Sequence, residues 1–148
     1  MTNIDTIMYL INWNRSPAEQ TKGIQMAREV QCIRAFFRPC GPGYSKSVWS
    51  NCAIIICERS DDELIPHVFE MLAWLQDLNW PGAYTVLQRL LKFSEVDMLA
   101  ATIETMIPAL EAMTDIPWLM SIANILDNHL LRTKLRNETV FALMKYRN

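Results

Sequence analysis

A serine stands three residues ahead of an acidic side chain at three separate places: Ser16 before Glu19, Ser60 before Glu63, and Ser94 before Asp97. The first two are capping boxes, in which the hydroxyl accepts from the third helical amide and the carboxylate reaches back to the cap. The third is a weaker relative, with Asp for Glu, and Pro17 at the first helical position strengthens the first. Between these starts apolar residues return at three and four, not two. Segments near 3–13, 17–37, 46–58, 61–77, 80–93, 96–114, 117–130 and 134–146 therefore read as helices. The run Ala53-Ile54-Ile55-Ile56 would be a strand without a partner strand, so it too reads as helix. The expected fold class is all-α.

One connection is rich in helix breakers, Arg38-Pro39-Cys40-Gly41-Pro42-Gly43-Tyr44. It sets off an N-terminal helical hairpin and loop (1–44) from a core (45–115) and C-terminal capping helices (116–148). Forty-four residues are few for an independent core, so the 148 residues read as a single helical domain. Trp49, Trp80 and Trp118 each open a segment that begins with small residues or proline. Leu64-Ile65-Pro66-His67-Val68 resembles Met106-Ile107-Pro108-Ala109-Leu110 at an offset of 42. A period near forty residues is that of HEAT-like helical pairs. The expectation is a HEAT-like α-α superhelix of three to four pairs, with the three tryptophans at related positions of successive stacked helices.

The string Trp74-Leu75-Gln76-Asp77-Leu78-Asn79-Trp80-Pro81-Gly82-Ala83, preceded by Leu64-Ile65-Pro66, resembles the core of an uncharacterised bacterial family of HEAT-like domains of unknown function. The resemblance covers about residues 45–115. It implies a helical superhelix and no activity. Small HEAT-like proteins of this kind are similar to immunity proteins of bacterial toxin systems.

Little in the sequence points to catalysis. Gly41-Pro42-Gly43-Tyr44-Ser45-Lys46-Ser47 lacks the Gly directly before Lys, and the preceding strand, that a phosphate-binding loop needs. His67 and His129 have no His or Cys at ligand spacing, so no metal or cofactor is expected. Glu63, His67 and Glu70 share a helical face that could run acid–base chemistry. A solvated helix start is the favoured account, since acids there oppose the macrodipole and such a face needs no function. The four cysteines, Cys32, Cys40, Cys52 and Cys57, all precede residue 58, unlike a disulfide scaffold, and read as reduced thiols. The N-terminus has no positive n-region, and the longest apolar stretch, Cys52–Cys57, is too short to span a bilayer. The expected location is the cytoplasm.

Charge is distributed more tellingly than its total of −2. Six basic and three acidic groups leave residues 1–57 at +3, while three basic and eleven acidic groups leave 58–115 at −8. Residues 116–128 add only Asp127, and 129–148 carry +4. On a helical wheel Glu63, His67, Glu70, Trp74 and Asp77 fall in one arc of about 80°. Glu104, Glu111 and Asp115, with Asp97 and Pro108, form a matching stripe. Stacked helical pairs would set the two stripes side by side as one acidic, partner-binding surface. Trp74 has two readings: an apolar anchor ringed by charge, or a ring folded onto the Trp80-Pro81 turn.

These features lead to an expected function: a non-enzymatic protein-binding module, an immunity protein that neutralises a basic bacterial toxin domain through its acidic face. No nucleic acid and no membrane are expected as partners. A HEAT-like DNA-repair glycosylase would need a basic concave face, which the acidic stripes oppose. An assembly scaffold without a toxin partner is the third reading.

Overall fold

The computed structural model describes residues 3–41 and 44–147. Pro42 and Gly43, in the loop weighed above as a phosphate cradle, lie outside the described residues. Ten α-helices are present among those described: α1 (Ile4–Ile11), α2 (Pro17–Ala27), α3 (Trp49–Cys57), α4 (Asp61–Leu64), α5 (Val68–Trp74), α6 (Ala83–Leu91), α7 (Asp97–Ala112), α8 (Ile116–Ala123), α9 (His129–Lys134) and α10 (Asn137–Met144). Short 3-10 turns occupy Ile33–Phe36, Lys46–Val48, Ile65–His67 and Asn124–Asp127. The only β-feature among the described residues is one isolated bridge between Gly41 and Tyr44. The fold is all-α.

Both capping boxes form as the serine spacing predicts, Ser16 with Glu19 at the start of α2 and Ser60 with Glu63 at the start of α4. The Ser94 relative does not: Ser94 instead donates to Asp61, and α7 begins after Val96 without a side-chain cap. Three expected helices are interrupted, one of them (117–130) by the Asn124–Asp127 turn and the extended Asn128 that caps α9. The segment expected over 17–37 stops at Ala27, because Arg59 donates to the carbonyls of Ala27 (2.8 Å) and Val30 (2.7 Å). The chain then turns so that Ile33 and Phe36 can bury their side chains. The segment expected over 61–77 is broken at Pro66, whose ring cannot continue the ladder. Pro108 lies well inside α7, on its solvent-exposed side.

One apolar cluster runs from Ile7 to Leu143. α1 and α2 form a hairpin that lies on α3; α3 packs on α6, and α5 on α6 and α7. α7 in turn meets α8, α9 and α10. The hairpin closes tightly at Gly23, where a Cβ would come within 2.6 Å of Ile11 and 2.9 Å of Leu10. Asn128 ties the C-terminal helices to α6. Its Nδ2 donates to the carbonyls of Leu90 (2.9 Å) and Phe93 (3.0 Å), while its Oδ1 caps α9.

The tryptophans form a cluster. Trp49 meets Trp74 edge-on at 6.2 Å and Trp80 at 5.5 Å. Trp118 stands apart in the first turn of α8, donating to the Leu72 carbonyl at 2.9 Å. Trp49, Trp80 and Trp118 thus differ in what they contact, whereas the spacing predicted related positions. No helix among the described residues is long and apolar enough to cross a membrane.

Candidate functional site

The expected partner face starts at α4, which Ser60 and Glu63 cap, and continues through the Ile65–His67 turn into α5. A 3-10 turn advances about 120° per residue against 100° in an α-helix, so three such residues shift the helical phase by about 60°. That shift overturns the anchor reading of Trp74. The Trp74 side chain is fully buried, its ring against Trp49 and its Nε1 donating to the Pro81 carbonyl at 3.0 Å. The ring is folded onto the Trp80-Pro81 turn, the second of the two readings. The large apolar side chain at the surface of α5 is Phe69, 51% exposed. The uninterrupted wheel did not single it out.

The acidic residues divide into two groups. Glu63 pairs with Arg59 at 3.0 Å and Glu70 with Arg38 at 3.6 Å, and both carboxylates stay about half exposed, at 49% and 46%. The hydrogen bond from Arg59, together with those from Ser60, holds the Glu63 carboxyl below its ordinary range. His67, between them, stacks on Phe37 with ring centres 4.8 Å apart. Asp77 is exposed beyond α5 and accepts from the Asn79 amide at 2.8 Å.

The second stripe serves internal contacts. Glu104 accepts from the Arg136 backbone N–H (2.7 Å), Arg136 Nε (3.2 Å) and Thr139 (3.3 Å), leaving its side chain 20% exposed. The backbone bond from Arg136 is the main cause of its lowered pKa. Glu111 accepts from the Tyr146 hydroxyl at 3.0 Å, and Asp115 caps α8 by accepting from the Trp118 amide at 3.3 Å. The residues after α9 therefore cover Glu104 and Glu111. Of the eight candidate residues, the structure leaves Glu63, His67 and Glu70 together on an open face.

The basic partners Arg38 and Arg136 come from the ends of the chain, and their pairing with the centre is invisible in sequence. Arg59 had a local signal, since it stands four residues before Glu63.

Among the described residues no group of three or more His, Cys, Asp or Glu is placed to hold a metal ion. Cys52 is buried and Cys57 half-buried, whereas Cys32 and Cys40 are exposed. Burial pushes the Cys57 thiol up to about 12, against an opposing pull from Arg89, and raises the Cys52 thiol as well. A thiol reagent should accordingly label two sites, Cys32 and Cys40, in the native protein. All four should react in denaturant, as counted by intact mass. Rapid native labelling of Cys52 would refute the burial account.

A family model described as Domain of unknown function (DUF5071) matches residues 50–145. No curated protein and no solved structure matches the chain.

Proposed function

We propose a function for a chain that belongs to the family described as Domain of unknown function (DUF5071): non-catalytic binding of a basic protein partner through the α4–α5 face. The observation that carries this reading is the exposed Phe69 ring on the same α4–α5 segment as the half-exposed carboxylates of Glu63 and Glu70. Asp62, one α-helical step before Glu63, is exposed and adds to the acidic rim. An exposed aromatic side chain on a segment whose carboxylates stay partly open to solvent, Glu63 and Glu70 beside their own arginines, combines an anchor that binding desolvates with steering by charge. Phe69 takes the anchoring role that the sequence offered to Trp74. The finer form of the proposal is an immunity protein: a short HEAT-like superhelix that occupies a basic bacterial toxin domain in the cytoplasm. The packing of α3 on α6, α5 on α6 and α7, and α7 on α8 supports the superhelix, and tight occupancy of a toxin needs no catalytic residue.

The test is binding kinetics against the product of the adjacent gene. Association should slow as salt rises, because screening shortens the reach of the acidic rim. Glu63→Lys with Glu70→Lys should slow association about tenfold or more. Phe69→Ala should speed dissociation about tenfold, the equivalent of ~1.4 kcal/mol. A folded double reversal that binds as fast and as tightly as the parent would overturn the acidic-face reading.

A further inference from the structure

A groove of about 460 Å³ lies between the Ile33–Phe36 turn and the start of α5, lined by Arg34, Phe37, Pro66, His67 and Glu70. Its floor is the Phe37–His67 stack, with ring planes 22° apart. Arg34 is exposed and has no carboxylate partner among the described residues. Arg38 follows in a left-handed backbone conformation, φ 47°, that brings its guanidinium over Trp80 and toward Glu70. Its Nε is buried without a hydrogen-bond acceptor.

We propose that this groove is an oxyanion site, taking a carboxylate or phosphate group between Arg34 and His67, and that it fills as His67 gains a proton. Two side chains able to carry positive charge converge there, while Glu70, the one carboxylate in the lining, is already engaged by Arg38. Like charges brought together without a counterion repel, and an oxyanion between them removes the repulsion. Arginine presents the fork that carboxylate and phosphate oxygens fit.

The charged groups around His67 are Arg34 and Arg38 from the segment packed on it, Glu70 on α5, and Glu63 one turn earlier, itself held by Arg59. Burial first, and then Arg34, lower the His67 pKa, with Glu70 opposing them. In the empty groove protonation is thus disfavoured and reduces stability as pH falls through the histidine range. A bound oxyanion reverses that preference. By linkage, an anion that binds the protonated form more tightly must raise the His67 midpoint, and its own affinity must rise as pH falls.

NMR titration of the two histidines decides the matter, with inorganic phosphate or acetate compared with sodium chloride at equal ionic strength. A tenfold preference for the protonated form would raise the His67 midpoint by about one pH unit at saturating phosphate. His129, exposed at the start of α9, is the internal control and should not follow. Arg34→Gln should abolish the rise while circular dichroism and the His129 titration stay unchanged. A rise with both anions assigns a general oxyanion site, and a rise with phosphate alone assigns a phosphate site. The proposal is overturned if His67 moves no more than His129 with either anion, or if the rise persists in folded Arg34→Gln.

Discussion

Trp74→Ala should destabilise the protein by about 3–5 kcal/mol, the range for removing a fully buried large aromatic side chain. The substitution opens a cavity between α3 and the turn before α6. It also removes the edge contact with Trp49 and the donor to the Pro81 carbonyl. Native domains have ~5–15 kcal/mol in total, so the loss should be plain in a urea titration as a lower midpoint at nearly unchanged slope. Phe69→Ala is the matched comparison on the same helix. With half its ring already in water, Phe69 should cost about 1 kcal/mol or less. If Trp74→Ala left the midpoint in place, the buried assignment and the phase-shift argument behind it would both fall.

Gly82→Ala should cost about 2–4 kcal/mol for a different reason. Gly82 has φ 85°, where a side chain costs about 1–2 kcal/mol, and its position admits no Cβ. A methyl group there would lie 2.7 Å from the Ala53 Cβ and 2.9 Å from the Trp49 carbonyl oxygen. Overpacking of this kind typically adds about 1–3 kcal/mol. Part of the cost should be recoverable. In an Ala53→Gly background one of the two clashes is gone, so Gly82→Ala should cost about 1 kcal/mol less than in the parent. Strict additivity in the double-mutant cycle would show that the approach to α3 is not what excludes the side chain.

The helical class was legible because it is written locally. Ser16-Glu19 and Ser60-Glu63 cap the helices that follow them, and the three-and-four spacing of apolar residues marks each segment as helical. Interruptions were legible only in part. Leu64-Ile65-Pro66 and Met106-Ile107-Pro108 look alike, yet the first proline ends a four-residue helix in a 3-10 turn and the second rides inside a sixteen-residue one. By Pro108 α7 has a long ladder and an exposed side on which the lost bond is tolerated, whereas α4 has neither the length nor the packing to carry through.

The candidate face failed at the positions where a wheel was extrapolated across such a break. Glu63, His67 and Glu70 kept a common exposed side, while the residues beyond the turn rotated together and Trp74 started about 40° nearer the apolar arc than Glu70. Trp74, farther on, was carried into the core.

Composition along the chain established an acidic centre between basic ends, since counting charges needs no coordinates. Tertiary structure decided what that pattern does. Arg38 returns to Glu70, Arg136 to Glu104 and Lys134 to Asp97, so much of the apparent acidic surface meets its counter-charge within the same chain. Which carboxylates remain open depends on where α10 and the 33–38 segment come to rest. That is set by burying Leu143, Ile33 and Phe36 in the common core. Capping and periodicity act over four residues and can be read from any window of that length. Pairing across 32 residues, as for Glu104 and Arg136, follows from how the apolar faces pack, and only the folded chain determines it.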